Sequence, residues 1–142
     1  MVWVVVNGVL KVYWYEEQYL RTSSNIYNLD DVSNKITHLT NEAIQKFDEN
    51  YGKFESANKI SMAEMAKYLS YVSPEIDWYN FCIKKVKDIS LDIVKCSHHY
   101  INHKPVNAAF EILGLDYMFD EKGNPMLIEV NYNPSLSCCN SH

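Results

Sequence analysis

Three oxygen-bearing side chains near the C-terminal end of the chain could together hold a divalent cation. Asp116 lies in an apolar run that ends at Phe119, and Glu129 and Asn131 lie in a second run that begins at Met126. Carboxylate and amide oxygens are hard ligands, which suit Mg²⁺ better than Zn²⁺. Because such a site leaves room for waters and phosphate oxygens, we expect the ion to be the Mg²⁺ of a bound nucleotide.

A β-hairpin between Phe110 and Leu136 would bring these side chains together. Two predicted strands, Phe110–Phe119 and Met126–Asn131, flank the segment Asp120–Pro125, which itself holds the turn-forming residues Asp, Gly, Asn and Pro. Pairing the two runs about this turn gives three facing pairs, namely Phe119 with Met126, Tyr117 with Ile128, and Asp116 with Glu129.

Side chains alternate between the two faces of a strand, so this hairpin is predicted to have two different faces. The apolar face should meet the helices and consists of Leu115, Tyr117, Phe119, Met126, Ile128 and Val130. The other face carries Gly114, Asp116, Met118, Leu127, Glu129 and Asn131.

The predicted pairing of Asp116 with Glu129 creates an electrostatic problem, because like charges directly opposite each other destabilise a sheet. Either one carboxyl takes a proton or a cation lies between the two. Two other interpretations stay open: solvated carboxylates on an exposed hairpin, and a carboxylate pair for acid–base catalysis, although nothing here distinguishes acid from base. A register slip of one residue would separate the pair.

The composition excludes several functional classes. With 142 residues, of which 47% are hydrophobic, the chain fits one domain or part of one. The formal net charge of −5 argues against a nucleic-acid binder, which needs a basic face. No apolar run approaches the ~18 residues needed to span a membrane. The cysteines show no CxxC spacing, which favours a reducing, cytoplasmic compartment.

The N-terminal region is predicted to form a second β structure. Asn7 and Gly8 separate the β-branched and aromatic runs Val2–Val6 and Val9–Tyr15. Because both positions of a two-residue hairpin turn need a positive φ, this dipeptide predicts a tight hairpin. Tyr19–Thr22 could add a third strand.

Three signals predict helices. Thr40 or Asn41 could cap a short helix. Ser61–Glu64 fits a capping box, and Ser73–Glu75 predicts the start of a long helix that ends at Cys96–Tyr100. Two stretches are predicted to be irregular: Asn25–Leu39 and Asp48–Lys59. The resulting class is α+β, with an antiparallel sheet packed against helices.

Several separated motifs resemble the tubulin–tyrosine ligase family, whose fold is ATP-grasp. The main likeness is Phe110–Asp116 followed by Leu127–Leu136, and His38–Asn41 resembles the HLTN signature of the family. Further matches follow in the same order along the chain: Trp3–Val6, Val12–Tyr15, Leu20–Thr22, Ala43–Lys46 and Asn50–Lys53.

The resemblance implies an ATP-dependent ligase that adds a free amino acid to tubulin or a similar acidic protein tail. Such an enzyme activates a carboxylate as an acyl phosphate, which an amine then attacks. The implied cofactors are ATP and Mg²⁺, and the implied location is the cytoplasm, with association with microtubules. Asn50–Lys53 looks like the tyrosine-adding member, whereas the ending Asn133–Leu136 looks more like glutamate- or glycine-adding relatives.

The resemblance also assigns roles to residues of this chain. Asp116, Glu129 and Asn131 match the Mg²⁺ ligands of the family. Thr40 and Asn41 match residues near the nucleotide and the acceptor, although a helix cap is the commoner role for such a pair.

Two departures from the family pattern concern catalysis. An arginine that faces the reacting carboxylate in the family aligns with Met1, so the catalytic residue is unknown, and the chain has no Gly-rich phosphate loop. We therefore expect residues 1–142 to be a partial ATP-grasp domain that lacks its N-terminal half and does not catalyse ligation alone, which an ATP-dependent ligation assay tests. The alternative is a non-catalytic binding or scaffold module with the same fold.

Overall fold

The computed structural model of the chain describes residues 1–100 and 108–136. In chain order their strands are β1 (Val2–Val6), β2 (Val9–Tyr13), β3 (Tyr19–Arg21), β4 (Lys59–Ser61), β5 (Ala108–Ile112), β6 (Gly114–Phe119) and β7 (Pro125–Asn131). Their α-helices are α1 (Lys35–His38), α2 (Glu42–Gln45), α3 (Met62–Val72) and α4 (Trp78–Ser97). Short 3₁₀ turns cover Ser56–Asn58 and His98–Tyr100.

The described residues form two compact units. One unit contains Met1–Glu16 and the described residues from Ile76 onward, and the other contains Glu17–Glu75.

The first unit opens with the predicted tight hairpin. Asn7 and Gly8 have φ angles of 49° and 77°, which is the geometry that a two-residue turn between twisted strands requires. Strand β2 ends at Tyr13 and not at Tyr15. Strand β1 is central in a three-stranded antiparallel sheet of order β2-β1-β5, and Trp3 is buried in it.

Strands β5 and β6 correct the prediction of one strand from Phe110 to Phe119. Strand β5 pairs with β1, whereas β6 pairs with β7. The chain passes from one sheet to the other at Leu113, whose N–H donates to the Met1 carbonyl at 2.9 Å. The break arises because β5 reaches the end of β1 there and needs a new partner.

Helix α4 begins later than the sequence pattern predicts. Its N-cap is Asp77, whose carboxylate accepts from the Asn80 N–H at 3.2 Å, so the start predicted at Ser73–Glu75 is wrong. An Asp side chain can satisfy an otherwise unpaired N–H of the first turn, which explains this choice of cap. The helix ends at Ser97, within the predicted range, and buries Cys82, Ile83, Val86 and Ser90.

In the second unit, strands β3 and β4 pair antiparallel, with Leu20 opposite Ile60. Helix α3 follows β4 directly, and the predicted capping box between Ser61 and Glu64 is confirmed. Helix α1 lies within a stretch predicted to be irregular, because a single turn is too short to show helical periodicity.

The architecture confirms a mixed fold of antiparallel strand pairs and helices. Cys138 and Cys139, which contributed to the compartment prediction, lie outside the described residues. Across residues 1–100 and 108–136, no helix is both long enough and apolar enough to cross a bilayer.

Candidate functional site

The hairpin of β6 and β7 places the two predicted metal-binding carboxylates opposite each other. Asp116 pairs with Glu129, as predicted, and Gly114 pairs with Asn131. The register changes by one residue between Asp116 and Tyr117, because β7 contains a bulge. The predicted pairs nearer the turn are therefore wrong, and the observed pairs are Tyr117 with Leu127, Met118 with Met126, and Phe119 with Pro125.

The bulge also changes which side chains of β7 point toward the protein. Pro125 is buried and Leu127 is half-buried, whereas Met126 and Ile128 are 50% and 59% exposed. The predicted apolar face is thus correct for Tyr117 and Phe119 but wrong for Met126 and Ile128. An extra residue inverts the alternation of one strand relative to its partner, which accounts for the exchange.

The three candidate ligands meet on the exposed side of this hairpin. Asp116 and Glu129 are exposed, Asn131 is half-buried, and the Asn131 Nδ2 donates to Asp116 Oδ2 at 3.3 Å. Within the described residues, neither carboxylate forms an ion pair with a Lys, Arg or His.

The donor set fits a hard cation. Two carboxylates and one amide supply oxygen ligands. The described residues contain no group of three His, Cys, Asp or Glu placed to hold a metal ion, so a site here depends on the Asn131 amide beside the two carboxylates. This chemistry suits Mg²⁺ better than Zn²⁺. The assignment of Asp116, Glu129 and Asn131 as metal ligands remains a prediction.

Tyr117, next to Asp116, attaches the hairpin to helix α4. Its hydroxyl lies 2.8 Å from Ser90 Oγ and 3.5 Å from the Val86 carbonyl. Burial raises the pKa of the Tyr117 phenol, and the hydrogen bond with Ser90 partly offsets that rise. The bonded hydroxyl therefore holds the inner face of β6 at a fixed place on the helix.

The turn between β6 and β7 is attached to the same helix. Gly123 has a φ of +72°, and a Cβ at this position would lie 2.9 Å from Trp78 Cζ3 and 3.2 Å from Phe81 Cε1. Lys85 Nζ donates to Asn124 Oδ1 at 2.5 Å and lies 3.8 Å from the centroid of the Phe81 ring. Only a glycine can approach the aromatic pair this closely, so the turn rests directly on the helix.

Asp120 stabilises the turn through hydrogen bonds from other residues of the turn. Its carboxylate accepts from the backbone N–H of Lys122 at 2.9 Å and of Asn124 at 2.7 Å, and from the Asn124 amide at 2.8 Å. The hydrogen bond from the Asn124 side chain is the main reason why the pKa of Asp120 is lowered. The sequence indicated a turn here, but nothing in it indicated the contact of that turn with α4.

Met1, which the resemblance aligns with a family arginine, lies beside this hairpin. Its carbonyl accepts from the N–H of Leu113, and the next residue, Gly114, faces Asn131. The backbone at position 1 is thus close to one end of the candidate metal centre.

Thr40 and Asn41 lie in the second unit, between α1 and α2. Asn41 occupies the N-cap position of α2, but its side chain makes no capping hydrogen bond to the described residues. Asn41 is exposed and Thr40 is half-buried. The capping interpretation therefore lacks its usual side-chain bond, and the nucleotide-binding role of the pair remains a prediction.

Comparison with known proteins gives a consistent family. A sequence model described as the tubulin-tyrosine ligase family matches residues 1–142. Tubulin glycylase 3E of Tetrahymena thermophila is 30% identical over an alignment of 142 positions, and the alignment covers 95% of this chain and 10% of that protein. Probable alpha-tubulin polyglutamylase Ttll1 of the same organism is 35% identical over 131 residues, which cover 90% of this chain and 30% of that protein.

A human relative is also a tubulin polyglutamylase. Tubulin polyglutamylase TTLL6 of Homo sapiens is 32% identical over an alignment of 141 positions, and the alignment covers 90% of this chain and 16% of that protein. The chain thus spans no more than 30% of the length of any of these three relatives.

Proposed function

This chain belongs to the tubulin-tyrosine ligase family, and from that premise we propose that it supplies the metal-binding side of an ATP-dependent ligase that modifies tubulin. The proposed fold is the C-terminal part of an ATP-grasp domain over residues 1–142. The proposed location is the cytoplasm, with association with microtubules.

The proposed reaction joins a carboxylate of tubulin to the amino group of a free amino acid. A carboxylate oxygen of the acceptor attacks the γ-phosphorus of ATP, which releases ADP and gives an acyl phosphate. The amine then attacks the acyl carbon, phosphate leaves, and an amide bond remains after loss of a proton from nitrogen. The named relatives are a glycylase and two polyglutamylases, which favours glycine or glutamate over tyrosine as the added amino acid.

The observation that carries the proposal is the cross-strand pairing of Asp116 with Glu129. These two carboxylates are opposed, have no ion-pair partner among the described residues, and lie beside the Asn131 amide. When bound there, Mg²⁺ would neutralise the polyphosphate charge that otherwise opposes phosphoryl transfer. In the proposal, Asp116, Glu129 and Asn131 hold the ion, and Thr40 and Asn41 contact the nucleotide.

Titration calorimetry with Mg²⁺ and a non-hydrolysable ATP analogue tests the assignment. Asp116→Asn and Glu129→Gln should each weaken binding by about tenfold or more, because each removes one charged ligand of the ion. The control is Asp92→Asn, which removes an exposed carboxylate of α4 that pairs with Lys95 and should leave binding unchanged. Equal binding by all variants would overturn the assignment.

A further inference from the structure

Gln45 is fully buried, with 0% of its surface exposed, and both ends of its amide are bonded. Its Nε2 donates to the carbonyls of Ile36 at 2.6 Å and Leu39 at 2.7 Å. Its Oε1 accepts from the Ser24 N–H at 2.7 Å and from Asn58 Nδ2 at 3.3 Å. Such a side chain is costly to bury unless every polar atom is satisfied, as it is here.

The same residue binds the carbonyl that precedes Thr40 and the carbonyl of Asn41. The Gln45 side chain binds the Leu39 carbonyl, and the Gln45 backbone N–H donates to the Asn41 carbonyl at 2.9 Å. The bond to Asn41 is the first helical bond of α2, whereas the bond to the Leu39 carbonyl comes from a side chain and lies outside both helices. The Gln45 side chain therefore restrains the link of residues 39–41 at its Leu39 end, and the start of α2 holds its Asn41 end.

A second buried amide extends this restraint to the start of β4. Asn58 is buried, has a φ of +52°, and donates to the Thr22 carbonyl at 3.2 Å and to Ser24 Oγ at 2.8 Å. Its Oδ1 accepts from the Gly52 N–H at 2.8 Å. Gln45 is thus anchored to the surrounding unit and does not rely on α2, which is a single turn.

The hydrogen bonds around Gln45 do not involve the side chains of Thr40 and Asn41. Neither Thr40 nor Asn41 makes a side-chain hydrogen bond within the described part of the chain, and Asn41 is exposed. The backbone of the link is ordered, whereas its polar side chains remain available to a ligand. Ordering a binding segment in advance lowers the entropy lost on binding.

We propose that Gln45 is a positioning residue that sets the conformation of Thr40 and Asn41 for nucleotide binding. This inference rests on the proposed function, because it takes Thr40 and Asn41 as nucleotide contacts. In this proposal Gln45 does not touch the nucleotide, and its side chain acts through the carbonyls of Ile36 and Leu39.

The test compares Gln45→Met with Ile60→Val in the full 142-residue chain. Gln45→Met fills a similar volume but removes both amide donors. Ile60→Val removes one methyl group from a buried side chain of β4 in the same unit. Thermal unfolding reports the stability of each variant, and titration calorimetry with Mg²⁺ and AMP-PNP reports its affinity. Gln45→Met should weaken binding by about tenfold, as loss of a supporting hydrogen bond commonly does, whereas Ile60→Val should lower only the melting temperature.

Each outcome is decisive. Weaker binding by Gln45→Met alone supports the inference. Unchanged affinity in Gln45→Met, or equal losses in both variants, overturns it and leaves the proposed function standing. Absence of binding by the unmodified chain overturns both. Should Gln45→Met give no folded far-ultraviolet spectrum, Gln45→Glu, which keeps the length and an acceptor oxygen, enters the same comparison.

Discussion

The hydroxyl of Tyr117 lies 2.8 Å from the hydroxyl of Ser90, which ties strand β6 to helix α4 one residue away from Asp116. Ser90 Oγ also lies 2.8 Å from the Val86 carbonyl, which can only accept. The Tyr117 hydroxyl also lies 3.5 Å from the same carbonyl, so the two hydroxyls and this carbonyl form one hydrogen-bonded group in which either hydroxyl can donate to the other. The candidate metal centre is thus positioned from the opposite face of its own strand.

A double-mutant cycle measures the coupling energy between the hydroxyls of Tyr117 and Ser90. Ser90→Ala and Tyr117→Phe should each lower the free energy of unfolding by about 1 kcal/mol, because both remove the part-buried hydrogen bond between the two hydroxyls. The double variant should lose less than the sum, with a coupling energy of about 0.5–1.5 kcal/mol. Urea denaturation measures the free energy of unfolding of the parent, of both single variants and of the double variant. Strict additivity of the two losses would show that the two hydroxyls do not interact.

Two glycines with similar backbone angles should differ sharply in their tolerance of alanine. Gly8→Ala meets open space at a φ of +77°, so it should cost only the strain of a left-handed residue, about 1–2 kcal/mol. Gly123→Ala, at a φ of +72°, adds a clash with Trp78 and should cost about 1–3 kcal/mol more. Chemical denaturation of both variants checks the difference. Equal costs would mean that the turn does not rest on α4.

The opposed carboxylates predict a stability change whose sign depends on the metal. Glu129→Gln keeps the bond from Asn131 to Asp116 but removes the repulsion, so it should raise the free energy of unfolding by ~0.2–1 kcal/mol in EDTA at low salt. With Mg²⁺ in excess the order should reverse, because only the unmodified pair gains stability from the bound ion.

Urea titrations in EDTA and in Mg²⁺ measure both states, and high salt in EDTA serves as the control because it screens the repulsion. A variant that is less stable than the parent under both conditions would contradict the presence of a repulsive pair.

The parts of the fold that were predictable depend on local chemistry. Asn7 and Gly8 specify their turn because few other residues adopt two successive positive φ angles, and Ser61 with Glu64 specifies a cap through two reciprocal bonds. The opposition of Asp116 and Glu129 followed from the length of the intervening turn and strands.

The parts that were not predictable depend on tertiary contacts. From Tyr117 to the turn, the observed pairs differ by one residue from the predicted pairs, and the extra residue Ile128 restores the predicted pairing of Asp116 with Glu129. The prediction therefore reached the correct carboxylate pair through an incorrect register at Tyr117. Pattern alone also could not divide Phe110–Phe119 into two strands, because only the position of β1 decides where β5 stops. Gln45 lies in the matched motif Ala43–Lys46, but nothing in the sequence indicated its burial, since a buried amide network joins segments that are distant along the chain.

The bulge in β7 has a consequence for the kinetics of folding. If the register at Phe119 and Pro125 continued without the extra residue, Asp116 would face Ile128 and Glu129 would face Leu115. Hairpins form in about 1–10 μs, so the chain can sample this shifted register before slower packing selects one of them. The contact of Tyr117 with Ser90 is compatible with either register, because the strands pair identically on the turn side. A cation that needs both carboxylates would bind only the bulged form, and would thus act during folding as a selector of strand register.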